Sequence, residues 1–149
     1  MAGKLSPELD IASKAVQLCA SLTNRLQRQL KDENAVKKSD FSPVTIGDFA
    51  VQALLIAALH GAFPSDVFLA EESADELRSN GALLDQVWEL VESVRSSFAQ
   101  CQPVLRTPAS KEEVLDLIDK GGKGSETSSG RAWVLDPIDG TATFMTGQQ

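Results

Sequence analysis

The chain carries Trp133-Val134-Leu135-Asp136-Pro137-Ile138-Asp139-Gly140-Thr141 close to its last residue, Gln149. The apolar run from Ala132 to Leu135 predicts a short buried strand, and two carboxylates three positions apart follow it. This order suits a site that holds a divalent metal ion against a phosphate group, because hard cations prefer carboxylate oxygens. Since the motif lies so near the end of the chain, we expect the catalytic unit to be incomplete.

A second predicted strand, Val67 to Ala70, also ends in carboxylates, those of Glu71 and Glu72. In folds that combine helices with a sheet, ligands bind at the carboxyl ends of the strands. Two acidic strand ends could therefore supply the several oxygen ligands that one or two Mg²⁺ ions require. An isolated acidic pair is also typical of a turn or a helix start. The string from Asp136 to Thr141 is too long to be explained by turn chemistry alone.

Four helices are predicted around these strands. The first runs from Ser6 to about Lys31 and carries an apolar stripe at helical spacing: Leu9, Ala12, Val16, Cys19, Thr23, Leu26 and Leu30. The others are predicted from Thr45 or Gly47 to Gly61, from Ala82 to Phe98, and from a capping box at Ser110 to about Lys120. Loops are expected over 37–43 and 121–130. The pattern predicts an α/β fold, a layered sandwich of helices and sheet.

The composition limits the classes of function. With 149 residues and a formal charge of −7, the chain can form one domain with a core, and no basic stripe is available for a nucleic acid polymer. The apolar run from Phe49 to Phe63 is predicted to be too short to span a bilayer, and no signal peptide is recognisable, so we expect a cytoplasmic protein without a membrane partner.

Two cysteines and the single histidine are the remaining candidate functional groups. Cys19 and Cys101 lack metal-ligand spacing, and Cys19 is expected to be a buried free thiol, with a disulfide between the two as the less favoured alternative. His60 is expected to be a helix-terminal residue in preference to a catalyst.

Three motifs in this order resemble the inositol monophosphatase superfamily of Mg²⁺-dependent, lithium-sensitive phosphatases: Lys38-Ser39-Asp40-Phe41-Ser42-Pro43-Val44-Thr45-Ile46-Gly47-Asp48, Ala70-Glu71-Glu72-Ser73 and Asp136-Pro137-Ile138-Asp139-Gly140-Thr141. The first of them is similar to the branch that cleaves 3′(2′),5′-bisphosphate nucleotides. The resemblance spans Leu9 to Gly147. It implies the N-terminal part of the inositol monophosphatase-like sugar phosphatase fold, with residues 1–149 as a metal-binding domain and the C-terminal domain absent.

The resemblance also implies a set of metal ligands. Glu71, Asp136 and Asp139 would ligate through their carboxylates and Ile138 through its backbone carbonyl, with Glu72 in support. An intact enzyme of this kind would hold two or three Mg²⁺ ions.

Catalytic and phosphate-binding roles follow in the same way. Asp48 and the hydroxyl of Thr141 would orient and deprotonate the attacking water. Backbone N–H groups of Gly140 and Thr141 would bind the phosphate, and Lys38 would add positive charge nearby.

The function implied is hydrolysis of adenosine 3′,5′-bisphosphate to AMP and phosphate, which clears a by-product of sulfate assimilation.

Two departures of this sequence from the family's motifs leave alternatives open. Ala142-Thr143-Phe144 matches neither the Lys-Gly-Phe of the nucleotidases nor the Thr-Asn-Phe of the inositol phosphatases, so an inositol mono- or polyphosphate phosphatase stays open. Trp88 and Trp133 are not followed by aspartate, so a further ligand from the family's second half is missing. We therefore expect a feeble or inactive chain, and a non-catalytic metal-binding or oligomerising chain is the alternative of another class. The expected partner is a small-molecule phosphomonoester; the oligomeric state is left open.

Overall fold

The computed structural model describes residues 6–31, 42–122 and 130–138. Five helices and two strands lie in these ranges, in the order α1 (Ser6–Lys31), α2 (Pro43–Ala62), β1 (Val67–Ala70), α3 (Asp75–Ser79), α4 (Gly81–Ala99), α5 (Lys111–Gly122) and β2 (Ala132–Leu135). Helices packed against a small parallel sheet confirm the predicted α/β class.

Helix α2 is the centre of the core, with α1, α4 and α5 packed around it. Its N-terminus differs from the prediction, because the helix begins at Pro43. Ser42 is extended and its side chain accepts a hydrogen bond from the Val44 N–H, while Pro43 occupies the first helical position, where its missing N–H costs nothing. The stretch Val44–Ala62 is long and apolar enough to cross a membrane, but 78% of it is buried inside the structure. Its apolar character is thus explained by the neighbouring helices.

The predicted apolar stripe of α1 is partly wrong. The helix buries Ile11, Ala15, Cys19, Leu22 and Leu26, whereas Leu9 is 68% exposed and Val16 is 55% exposed. Apolar residues form two neighbouring stripes along this helix, and the position of α2 determines which stripe is buried. Cys19 is a free thiol, as predicted, and its burial raises its pKa to about 12.

Local hydrogen bonds define the remaining helices. Asn80 caps α4 by accepting from the Leu83 N–H, which starts this helix at Gly81. The predicted capping box at the start of α5 is formed in part: Ser110 Oγ accepts from the Glu113 N–H, while the Glu113 carboxylate accepts from the N–H of Ala109, the residue before the cap. The five-residue helix α3 was not predicted, because it is too short to show helical periodicity.

Strands β1 and β2 pair in parallel, with Val67 opposite Ala132 and Ala70 opposite Leu135. The connection between them passes through α3, α4 and α5, which is the crossover that a parallel pair requires. Phe68 is buried on the inner face of the sheet. On the outer face, Leu69 and Val134 lie opposite each other and are 55% and 77% exposed.

Arg131, directly before β2, ties this strand to the rest of the fold. Its guanidinium pairs with Glu8 on α1 and with Asp66 before β1, and lies 5.0 Å from the ring centre of Phe63. The Trp133 indole N–H donates to Asp66 Oδ2 at 2.9 Å, and its ring stacks on Phe63 with centroids 6.0 Å apart. Hydrogen bonding to Arg131 lowers the pKa of Glu8.

Candidate metal and phosphate site

The two acidic strand ends lie at the same edge of the sheet. Ala70 pairs with Leu135, so Glu71 and Asp136 are the next residues of two paired parallel strands. Parallel strands run in the same direction, and their carboxyl ends therefore meet. This register brings the two acidic segments to the same edge of the sheet.

The first two turns of α2 add a third acidic residue to this edge. Asp48 follows Gly47, and a Cβ placed on Gly47 would lie 2.6 Å from Leu26 Cδ1 and 3.2 Å from Ile138 Cδ1. Ile138 is buried together with Leu26 and Val44. The segment that leaves β2 therefore packs against the start of α2, and a glycine at position 47 allows this close approach.

These carboxylates lie close enough for their charges to interact. Burial raises the pKa of Asp48 to about 7, with further increases from the negative charges of Glu72, Glu71 and Asp136. Burial also raises the pKa of Glu72, and Glu71, Glu76 and Asp136 add to this effect. The negative charges of Glu71 and Asp136 thus make ionisation of Asp48 and of Glu72 less favourable.

One oxygen at this edge has no partner. Asp48 Oδ1 is buried and accepts no hydrogen bond from the residues that the structure describes. A buried carboxylate oxygen without a donor is unfavourable, and a bound cation is one way to satisfy it. The chemistry of this donor set, several carboxylates with an unpartnered oxygen, fits a hard divalent cation.

The ligand set is nevertheless not complete in the described ranges. No three carboxylate, histidine or cysteine side chains within 6–31, 42–122 and 130–138 lie close enough to hold a metal ion. Of the predicted site residues, Glu71, Glu72 and Asp136 lie within charge-interaction range of Asp48, and Ile138 lies next to Gly47 at the start of α2. The predictions for the remaining four, Lys38, Asp139, Gly140 and Thr141, lie outside the described residues.

His60 lies in the last turn of α2, as predicted. Twelve residues of helix separate it from Asp48, which corresponds to about 18 Å. Its ring packs edge-on to Phe68, and burial, followed by the charges of Lys120 and Arg106, lowers its pKa. The geometry places it at the end of α2 opposite to the acidic edge.

Sequence reasoning missed two features that shape this edge. Gln52, on α2, hydrogen-bonds to the backbone of Glu72, and the end of α5 packs closely against the same turn. A Cβ on Gly122 would lie 2.8 Å from the Glu72 carbonyl oxygen. A single amide side chain in an otherwise apolar helix, one turn after Asp48, was the signal that could have identified Gln52.

Comparison with known proteins agrees with the geometry. The model of the inositol monophosphatase family, whose members generally depend on a metal ion, matches residues 5–149. A 3′(2′),5′-bisphosphate nucleotidase from Emericella nidulans is 44% identical over 140 residues, covering 93% of this chain and 39% of that protein.

Two further relatives give the same result. A 3′(2′),5′-bisphosphate nucleotidase from Schizosaccharomyces pombe is 40% identical over 146 residues, covering 95% of this chain and 41% of the relative. The 3′,5′-bisphosphate nucleotidase 2 of Arabidopsis thaliana is 39% identical, with the same coverage of 95% and 41%. The chain thus spans about two fifths of the length of these relatives. With its acidic sheet edge and a match over nearly its whole length, the chain belongs to the inositol monophosphatase family.

Proposed function

We propose that this chain forms the metal-binding part of a Mg²⁺-dependent phosphatase that hydrolyses 3′(2′),5′-bisphosphate nucleotides. The observation that carries the proposal is the convergence of Asp48, Glu71, Glu72 and Asp136 at one sheet edge, where burial and then the negative charges of the other three raise the pKa of Asp48 to about 7. Such crowding is unfavourable for the metal-free protein, and neutralisation by a divalent cation would relieve it.

Each residue of the proposed site would have a separate role. Glu71 and Asp136, with Asp139, would hold the cation, and Glu72 would support them. When bound, a divalent cation would neutralise charge on the phosphate and lower the pKa of water. Asp48 and the Thr141 hydroxyl would together orient the attacking water, and the Asp48 carboxylate would accept its proton. Gly140 and Thr141 would bind the phosphate through their N–H groups, and Lys38 would add positive charge.

The substrate class rests on the names of the relatives, which are bisphosphate nucleotidases. Adenosine 3′,5′-bisphosphate, with AMP and phosphate as products, is therefore the proposed reaction of the complete catalytic unit. Inhibition by lithium, a cytoplasmic location and a role in sulfate assimilation belong to the same proposal. Residues 1–149 would act as the N-terminal metal-binding domain, and the longer relatives contain additional length that would supply the rest of the substrate pocket.

Calorimetric titration with Mg²⁺ tests the metal site. The chain is titrated with and without adenosine 3′,5′-bisphosphate, next to the variants Glu71→Gln and Glu89→Gln. Glu89 is an exposed carboxylate on α4 and serves as the matched control. We expect Glu71→Gln to weaken Mg²⁺ binding by at least about tenfold and Glu89→Gln to leave it unchanged. Absence of binding by the wild-type chain at millimolar Mg²⁺ would contradict the proposal.

A phosphate-release assay tests the substrate. The chain is mixed with the segment of the Emericella nidulans relative that it does not cover, and initial rates on adenosine 3′,5′-bisphosphate and inositol 1-phosphate are compared. Faster release from the nucleotide supports the proposal, whereas faster release from inositol 1-phosphate would assign the alternative substrate. A stable oligomer without turnover under Mg²⁺ or Mn²⁺ would indicate the non-catalytic alternative.

A further inference from the structure

Gln52 is the one polar side chain that is fully buried within the described ranges. It lies near the middle of α2, where nearly every neighbouring residue is apolar. Burying an amide without hydrogen bonds is unfavourable, so this glutamine needs partners inside the core. The identity of those partners shows what the residue does.

Two of the hydrogen bonds of Gln52 go to a single backbone residue, Glu72. Gln52 Oε1 accepts from the Glu72 N–H at 2.9 Å, and Gln52 Nε2 donates to the Glu72 carbonyl at 2.9 Å. This reciprocal pair resembles the exchange between two directly opposed residues of an antiparallel ladder. The side chain therefore holds the backbone two residues after β1 ends, where strand pairing with β2 no longer holds it.

The amide itself is fixed by α5. Nε2 also donates to the Ile118 carbonyl at 3.1 Å, and a Cβ on Gly121 would lie 3.2 Å from the same nitrogen. With one acceptor bond and two donor bonds, the amide group has little freedom to rotate. A rigid amide can define the position of the Glu72 backbone more closely than a mobile one.

The position of Gln52 on α2 connects this contact to the acidic site. It follows Asp48 by four residues, so the two side chains lie on the same face of the helix, one turn apart. One helix face thus carries the Asp48 carboxylate and the group that holds the Glu71-Glu72 turn. Helix α2 is thus the single rigid element that sets the distance between the Asp48 carboxylate and the carboxylates of Glu71 and Glu72.

We propose that Gln52 is a positioning residue for the acidic edge: its amide holds the Glu71-Glu72 turn against α2, so that these carboxylates and Asp48 face the same cation. The inference rests on the metal site of the proposed function. It assigns no contact between Gln52 and the cation. Gln52 acts through the backbone of Glu72.

The test compares the full chain with Gln52→Met and Val87→Ala. Methionine has nearly the shape of glutamine but leaves the Glu72 N–H and carbonyl without partners. Val87 is fully buried on α4, and its replacement lowers stability without touching this hydrogen-bond set. Mg²⁺ affinity is measured by calorimetry, and folding is monitored by circular dichroism and thermal unfolding.

We expect Gln52→Met to weaken Mg²⁺ binding by about 10- to 100-fold, as is typical when groups behind metal ligands are lost. Val87→Ala should lower the unfolding midpoint and leave Mg²⁺ affinity within twofold of wild type. Wild-type affinity in a folded Gln52→Met chain would overturn the inference while leaving the proposed metal site intact. A wild-type chain that binds no Mg²⁺ would overturn the proposed site and this inference together.

A measurement on the wild-type chain covers the case in which Gln52→Met does not fold. The ¹⁵N–¹H spectrum reports the Gln52 side-chain amide and the Glu72 N–H separately. We expect slow hydrogen exchange at the Glu72 N–H without metal, and a shift of the Gln52 side-chain resonances when Mg²⁺ is added. Rapid exchange at Glu72, or Gln52 resonances that do not move, would overturn the inference.

Discussion

Replacement of Gly121 by alanine tests how closely α5 packs against the acidic edge. A Cβ at this position would lie 2.7 Å from Ala70 Cβ, 3.1 Å from Ile56 Cδ1 and 3.2 Å from Gln52 Nε2. The Ile56 methyl can rotate away, but Ala70 is held in β1 and Gln52 by three hydrogen bonds. The end of α5 must therefore shift.

The expected magnitude follows from two opposing contributions. Overpacking a well-packed core costs about 1–3 kcal/mol, whereas the change from glycine to alanine in a helix contributes about 1 kcal/mol of stability. The net expectation for Gly121→Ala is a loss of about 1 kcal/mol. For a chain of this size that loss lowers the thermal midpoint by about 2–4 °C. Because Ala70 precedes Glu71, Mg²⁺ affinity should decrease as well.

The matched control is Gly81→Ala at the start of α4, where an added Cβ meets no atom within 4 Å. This variant should be as stable as wild type or more stable, by up to about 1 kcal/mol. Thermal and urea unfolding of the three proteins, followed by circular dichroism, gives the comparison. A Gly121→Ala chain that unfolds at or above the wild-type midpoint would refute the close packing of α5 against β1.

Three further predictions concern the rest of the fold. Arg131→Met removes the ion pairs with Glu8 and Asp66 and should lower the unfolding midpoint near neutral pH. Because hydrogen bonding to Arg131 lowers the folded-state pKa of Glu8 below 4.5, the part of the stability difference that comes from Glu8 should be present above pH 4.5 and be lost as the pH falls through that lowered pKa, which urea unfolding across pH 3–7 would measure. Phe98→Ala in the core should lower the free energy of unfolding, measured with urea, by about 3–5 kcal/mol. Val104→Ala, at a 63% exposed position, should leave the free energy of unfolding within about 0.5 kcal/mol of wild type. Ser42→Ala should lower the free energy of unfolding by about 1 kcal/mol, and Ser42→Gly should lower it by only a few tenths of a kcal/mol. Equal losses for the two variants in chemical denaturation would contradict the capping role of this side chain.

The elements that sequence predicted well are those with strong local signals. The long helices, the two strands and the capping box at Ser110 depend on periodicity and capping chemistry within a few residues. Helix α2 begins earlier than the predicted Thr45 or Gly47, because Pro43 fits the first helical position after a serine cap.

Features that depend on contacts between residues distant in the chain could not be predicted from such local signals. Which apolar stripe of α1 is buried depends on where α2 lies. The stripe that includes Leu9 and Val16 has equally good helical spacing, but these two residues are exposed. The acidic strand ends were predictable because motif and strand direction place them at one edge. The role of Gln52 depends on a backbone group twenty residues away, at Glu72, and only the assembled fold brings the two together.

The parallel pairing of β1 with β2 also has a consequence for how the protein is made. Because the chain must pass through α3, α4 and α5 before β2 is available, this contact closes a long loop, and such contacts form slowly and late. During synthesis, Asp48 and the two glutamates leave the ribosome well before Asp136 does. We expect the helices to be assembled around α2 before β2 is added, so that Asp136 joins Asp48 and the two glutamates only when β2 pairs with β1.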